Sequence, residues 1–142
     1  MNEEYEIGKQ IQMLSRKIKR KMDEAFFSYG ITGTQAFMLK FIHEKQLNGK
    51  VYAKTIENEF DMRKPTITGI LQLMEQNQFI KRKAEGEDAR LKEIVITKKG
   101  MEIVKTVDLK VQELEKNIAK GISQKEIKEF LKIADKISTN LS

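Results

Sequence analysis

Apolar residues recur at steps of three or four along both ends of the chain, the spacing of a single helical face. One stripe runs from Ile7 to Phe26 inside a predicted helix over residues 4–29, and another runs from Ile103 to Ile118 after a predicted cap at Thr97. The run Ser123-Gln124-Lys125-Glu126 has the form of a capping box and predicts the start of a last helix. We therefore predict three long amphipathic helices that flank a shorter middle section.

The middle section combines short helices with one hairpin. A capping box at Thr32-Gly33-Thr34-Gln35 predicts a second helix that runs to about residue 45, and a short helix is expected over residues 53–60. Pro65 suits the first position of the next helix, which runs to about residue 77 and faces inward at Ile67, Ile70, Leu71 and Met74. Alternating strands over residues 79–83 and 91–96 then enclose a charged tip, so the predicted fold class is mainly α with a small β hairpin.

Composition limits the chemistry. The chain has 142 residues, which suits one domain with or without an element for oligomerisation. It contains no cysteine and one histidine, and it has no glycine-rich phosphate loop and no nucleophile paired with a base. We therefore predict neither an enzyme, nor a metal site, nor a bound cofactor. With no apolar leader and no apolar run long enough for a bilayer, we expect a cytoplasmic protein without a membrane role.

Positive charge is concentrated on the predicted helix and hairpin. The formal net charge of the chain is +6, and residues 63–99 hold nine Lys or Arg against five Asp or Glu. A locally basic field favours a polyanionic partner, of which DNA is the commonest, because it attracts phosphate groups. A surface charge that serves solubility is the alternative interpretation.

Two motifs in this segment resemble those of the MarR-type winged-helix transcriptional regulators. The first is Asp88-Ala89-Arg90-Leu91-Lys92 with Ile96-Thr97-Lys98-Lys99-Gly100 after it, which is similar to the family's wing and the helix start that follows. The second is Pro65-Thr66-Ile67-Thr68 through Leu73-Met74-Glu75 to Phe79-Ile80-Lys81-Arg82, which resembles the recognition helix and the strand after it. The resemblance covers nearly the whole chain. At three points the chain departs from the family pattern. Asn77-Gln78 replaces the usual Gly, so we expect Asn77 to adopt the left-handed turn. Gly69 replaces the larger, often basic, contact residue of many members, and Arg63-Lys64 stands before Pro65 in place of the usual Ser or Asp cap.

The resemblance implies a single MarR-like domain over residues 1–142, with a DNA-binding lobe at 32–99 and helical dimerisation regions at 1–30 and 100–142. The implied function is that of a sequence-specific regulator of transcription, a ligand-responsive repressor that binds a pseudo-palindromic duplex as a homodimer. A winged helix used as a protein-interaction module without DNA is the alternative.

Side-chain chemistry assigns roles within the implied interface. Base readers are expected at Thr66, Thr68 and Gln72, because Gln can pair with adenine and the Thr methyl can pack on thymine. Arg90 would enter the minor groove or hold phosphates, with Asp88 as its orienting partner. Phosphate contacts are expected from Arg63, Lys64, Arg82, Lys83 and Lys92. For Arg82 a structural role at the base of the wing is the alternative.

Members of this family often sense small aromatic or amphipathic molecules. By resemblance only, such an effector would be bound by Met13, Arg16, Phe26, Phe37 and Phe41, with Arg16 pairing with a carboxylate of the ligand. Ordinary core packing is the alternative for each of these residues, and taken one at a time it is the favoured interpretation.

Overall fold

The computed structural model describes residues 6–85 and 88–142, without the side chains of residues 85 and 88–91. This part of the chain forms six α-helices and one two-stranded sheet. The helices are α1 (Ile7–Phe26), α2 (Gly33–Gln46), α3 (Ala53–Phe60), α4 (Lys64–Gln76), α5 (Lys98–Ile118) and α6 (Gln124–Asn140), and the strands are β1 (Ile80–Glu85) and β2 (Asp88–Ile96). By compactness the chain divides into two units, Met1–Lys110 and Val111–Ser142.

The junction between α1 and α2 is fixed by polar contacts. After a single 3-10 turn, Gly30 adopts a left-handed φ of 73°, and the predicted capping box at Thr32 is confirmed: its hydroxyl accepts from the Gln35 amide at 3.2 Å. The Gly33 amide donates to Oδ1 of Asp23 at 2.7 Å. This bond is the main reason that the pKa of the Asp23 carboxyl lies below its usual value; partial burial opposes the effect and Lys19 adds to it.

Helices α3 and α4 form a helix-turn-helix. Three residues separate them, and Asp61 ends α3 in the left-handed region with a φ of 47°. The predicted bounds of α3 are confirmed, whereas α4 begins one residue before Pro65. Of the predicted inward residues of α4, Ile67, Leu71 and Met74 are fully buried and Ile70 is only half-buried.

The end of α4 corrects one prediction. The left-handed residue is Gln78, with a φ of 65°, and not Asn77, whose φ is −83°. The Phe79 amide donates to the Met74 carbonyl at 2.9 Å and the Gln78 amide donates to the Glu75 carbonyl at 3.0 Å. This pair of bonds defines a Schellman motif, in which the residue after the cap takes the left-handed conformation. Asn77 is the cap itself, so the prediction was wrong by one position.

The hairpin is longer than predicted. Ile80 pairs with Ile96 and Arg82 pairs with Ile94, and the register shifts between Ala84 and Glu85. Strand residues therefore occupy much of the span predicted as a charged tip. The predicted packing of Ile80 with Ile94 and Ile96 is confirmed, because the three share a face and are buried.

The hairpin is held from both sides. On the outer edge of β2, the Ile94 amide donates to the Val51 carbonyl at 2.8 Å. Thr97 caps α5 as predicted, since its hydroxyl accepts from the Gly100 amide at 3.0 Å. A Cβ atom on Gly100 would lie 2.3 Å from the Phe79 carbonyl oxygen, so α5 begins in direct contact with the backbone before β1.

The second unit contains the end of α5 and all of α6. Gly121 ends the preceding turn with a φ of 77°, and the predicted capping box is confirmed: the Ser123 hydroxyl accepts from the Glu126 amide at 3.1 Å. That box also lowers the pKa of the Glu126 carboxyl, because the Ser123 amide donates to it. Among the described residues, no helix is both long and apolar enough to cross a bilayer.

Candidate nucleic-acid interface

The outward face of α4 is uncharged over three turns. Ile67, Leu71 and Met74 face the core. On the opposite side Thr66, Gln72, Leu73 and Gln76 are exposed, and Thr68 and Gly69 are half-buried beside them. Charged residues occur on this helix only at its ends, at Lys64 and Glu75. A helix with this face has neutral donors, acceptors and methyl groups to present to the edges of base pairs.

The three predicted base readers all lie on α4. Thr66 and Gln72 are exposed, and Thr68 is half-buried, nearer the core than the other two. Their side chains are therefore accessible to different degrees. Gln72 has the clearest access, because it lies near the centre of the face that points away from Ile67 and Leu71.

Two predicted phosphate contacts lie at the amino end of α4. Arg63 is the N-cap residue, with an extended backbone and no hydrogen bond from its side chain to the helix, and Lys64 is the first helical residue. Both are exposed. The first turn of a helix leaves amide groups without internal partners, and these groups attract anions. The two cations and the amide groups thus converge on one end of the helix.

The hairpin separates the other two predicted lysine contacts. Lys83 pairs with Glu93 and Lys92 pairs with Ala84. Because directly paired residues share a face and neighbours along a strand alternate, Lys83 and Lys92 lie on opposite faces of the hairpin. Both are exposed. A hairpin with lysines on both faces can meet two phosphate strands, as an arm placed between them would.

Arg82 differs from the other predicted contacts. Its side chain is 19% exposed, and its Nε lies 4.0 Å from Oε1 of Glu75. Nε and one Nη atom are buried, and neither has a hydrogen-bond partner among the described residues. This placement favours the structural alternative, in which Arg82 braces β1 against the end of α4.

Asp88 and Arg90 stand in β2, whose backbone pairing begins at Asp88 with Glu85. Their side chains, and with them the predicted contact of Arg90 with DNA and its predicted pairing with Asp88, lie outside the described residues. Both assignments therefore stay predictions.

The five predicted effector residues differ in how far they are buried. Phe26 is fully buried and Phe41 is 8% exposed, whereas Met13 and Arg16 are exposed and Phe37 is half-buried. Phe41 packs edge-on against Phe60, with 5.5 Å between the ring centroids. It also borders an open depression of about 530 Å³ whose other lining residues are Lys45, Tyr52, Lys54, Thr55, Asn58 and Glu59. None of the other four predicted residues borders it.

The exposure of one residue of α4 was not predicted from the sequence. Leu73 is 50% exposed on the outward face, although leucine in an amphipathic helix normally faces the core. The signal was present in the sequence, because Leu73 falls between the inward positions Leu71 and Met74 and outside the apolar stripe whose residues recur at steps of three and four.

Within the described part of the chain, acidic and histidine side chains form no cluster that could hold a metal ion.

Together α3, α4 and the hairpin define a winged helix-turn-helix, and comparison with known proteins points the same way. No family model matches the sequence. An uncharacterised HTH-type transcriptional regulator of Bacillus subtilis, YwoH, is 26% identical over 109 residues, which are 77% of each chain.

Three solved structures illustrate the likeness of fold. A Staphylococcus aureus MepR–DNA complex matches 99% of this chain and 100% of its own, with a TM-score of 0.88 and 22% identity. A regulator assigned to the MarR family from Listeria monocytogenes, complexed with a 26mer DNA, matches 95% of this chain and 88% of its own, with a TM-score of 0.83 and 18% identity. The transcription regulator MarR from Oenococcus oeni matches 94% of this chain and 98% of its own, with a TM-score of 0.80 and 24% identity. The predicted winged-helix fold is confirmed, and the structural neighbours of the chain are MarR-family transcriptional regulators.

Proposed function

We propose that this protein is a sequence-specific, double-stranded DNA-binding regulator of transcription that acts as a cytoplasmic homodimer. The observation that carries the proposal is the face of α4, which is neutral in the middle and has Arg63 and Lys64 at its amino end. Neutral donors, acceptors and methyl groups can read base edges and cations can hold phosphates, so the two parts of the helix suit the two parts of a duplex. Two structural neighbours with the same fold were crystallised with DNA, which supports this choice.

The homodimer is supported by apolar side chains that the described residues leave uncovered. On α1, Ile7, Ile11 and Leu14 are 57%, 45% and 48% exposed. On α6, Phe130, Leu131 and Ile133 are each more than half exposed. A second copy that covered such residues would gain about 25 cal/mol per Å² of apolar surface. A two-fold dimer would then place its recognition helices in successive major grooves, about 34 Å apart, on a pseudo-palindromic site.

We further propose repression that responds to a small aromatic or amphipathic effector. A repressor needs only to occupy a DNA site that overlaps the region where transcription starts. An effector would release it by binding more tightly to a dimer whose lobes no longer match the groove spacing, because a ligand shifts an equilibrium only through its different affinities for the two states.

The decisive experiment is selection of bound duplexes from a random pool, and we expect an inverted repeat to be recovered. Affinity for that duplex should fall steeply as salt is raised, because binding releases counterions from the phosphates. Recovery of no preferred sequence, with partner binding that survives high salt, would support the protein-interaction module instead.

Two variants separate phosphate contacts from base contacts. Lys64→Ala should weaken binding to all duplexes alike and reduce the salt slope by about one. Gln72→Ala should cost about 1–3 kcal/mol and relax the preference at one base pair of each half-site. Lys105→Ala removes the same charge from an exposed position of α5 and serves as the control. Loss of affinity in the control equal to that of Lys64→Ala would contradict the assignment of Lys64.

A further inference from the structure

The centre of the outward face of α4 is a gap beside an apolar side chain. Successive residues of a helix are offset by 100°, so Gly69 lies almost opposite the buried stripe, and Gln72 and Leu73 are its neighbours one turn on. A Cβ atom built on Gly69 would meet nothing within 4 Å. The middle of this face is therefore a gap bounded by an exposed leucine and an exposed glutamine.

Nothing in the described part of the chain requires glycine at this position. Gly69 lies inside a helix and is absent from the residues with positive φ, so no turn depends on it. A Cβ atom at this position would clash with no neighbouring atom. Glycine inside a helix nevertheless costs about 0.5–1 kcal/mol relative to alanine. Such a gap matters only to something that approaches the helix from outside.

Leu73 makes one side of the gap apolar. It is 50% exposed and is the only large apolar side chain among the outward residues Thr66, Gln72, Leu73 and Gln76. In the major groove the C5-methyl of thymine is the apolar feature of a base pair, and the paired adenine presents N6 and N7 to a glutamine. Leucine and glutamine at adjacent positions match those two features.

Resting on the proposed function, we propose that Gly69 and Leu73 determine specificity for a thymine–adenine pair at the centre of each half-site. Gly69 lets the backbone of α4 approach the floor of the groove, and Leu73 packs on the C5-methyl of thymine. Gln72 then lies within reach of an adenine. Gly69 and Leu73 would thus recognise the base pair through apolar contact and close approach of the backbone, and not through charge.

The test uses the full-length protein and the duplex recovered by selection. Replacing each thymine in turn by deoxyuridine removes only the methyl group. We expect one position in each half-site at which this replacement weakens binding by wild-type protein about fourfold, the value of one buried methyl. Leu73→Ala should bind more weakly and should no longer distinguish thymine from deoxyuridine there. Leu47→Ala, which shortens a leucine that is 73% exposed in another part of the chain, should keep the distinction.

Gly69→Ala tests the close approach. The substitution should raise thermal stability slightly, because alanine favours the helix, and should lower affinity for the selected duplex at least tenfold. Unchanged or tighter binding by Gly69→Ala would overturn the proposal, and so would a thymine scan that is flat for wild type or unaltered by Leu73→Ala. Each of these results would leave a selected inverted repeat in place. Failure to select any sequence would instead remove the proposed function itself.

Discussion

The two halves of α1 carry the same apolar stripe and differ in what covers it. Near the end of the helix Met22 and Phe26 are 1% and 0% exposed, and α2 begins against Met22, whereas Ile7 and Ile11 near the start of α1 are 57% and 45% exposed. Helical periodicity therefore determines which residues share a face and does not determine what packs on it. The covered half belongs to a core that the chain completes by itself.

Helix α6 resembles the uncovered half of α1. It has a complete capping box and an amphipathic pattern, yet Phe130, Leu131 and Ile133 are more than half exposed. Its local signals suffice to define a helix, while the described residues leave these apolar side chains uncovered. The contrast suggests that changes in the core should alter folding, whereas changes on the exposed stripes should alter association.

The largest effect is expected at Gly100, where the core permits no side chain. Gly100→Ala would place a Cβ atom 2.3 Å from the Phe79 carbonyl oxygen and 2.6 Å from Cγ2 of Ile96. Relieving these contacts requires α5 to move away from the hairpin, so we expect the free energy of unfolding to fall by about 3 kcal/mol. Denaturant unfolding measures it.

Gly8→Ala is the matched control for Gly100→Ala. Gly8 lies in the exposed half of α1, and a Cβ atom there meets nothing within 4 Å. We expect no loss of stability and a small gain in helix propensity. If both variants lost stability to a similar extent, the direct packing of α5 on the Phe79 backbone would not be the cause.

A smaller effect on folding, but a large one on association, is expected at Leu14. Leu14→Glu places a charge in the exposed stripe of α1, where a partner copy would have to desolvate it. We expect the dissociation constant of the proposed dimer to rise at least tenfold with little change in the helical content of the monomer. Sedimentation equilibrium over a range of concentrations measures this, and Leu47→Glu, at an exposed residue outside the stripe, should leave the association unchanged.

How far the sequence predicts this fold depends on whether a signal is local. The capping boxes at Thr32 and Ser123 and the bounds of α3 follow from neighbouring residues, and all are confirmed. The left-handed residue after α4 was misplaced from Gln78 to Asn77, because residue preference favours Asn and the hydrogen bonds of the Schellman motif select the next position. The hairpin was predicted too short, since charged residues near its tip suggested a turn although their backbones pair.

For the candidate site, the sequence identified the helix but not every side chain on its surface. Thr66 and Gln72 are exposed as a base reader must be. Exposure of Leu73 depends on how α4 is rotated against the core, which one helical stripe defines only approximately. Partial burial of Arg82 depends on how β1 packs beside the end of α4. The exposure of these side chains is therefore set by contacts between helices and strands, which the local sequence pattern does not define.

The smallest effect is expected from the carboxylate that joins α1 to α2. Because the Gly33 amide lowers the pKa of Asp23 in the folded protein, the folded state binds a proton less readily than the unfolded chain does. Its contribution is thus fully present above the unfolded value of about 4 and is lost as the pH falls through the lower folded value. Asp23→Asn should remove this part of the acid dependence, by less than about 1 kcal/mol because the side chain is 36% exposed. Urea unfolding at pH 7 and pH 3 measures the difference.

Glu24→Gln is the control, because it removes a charge from the next position. We expect it to preserve the wild-type dependence of stability on pH. If Glu24→Gln flattened that dependence as much as Asp23→Asn, the change in net charge and not the loss of the bond to Gly33 would be responsible.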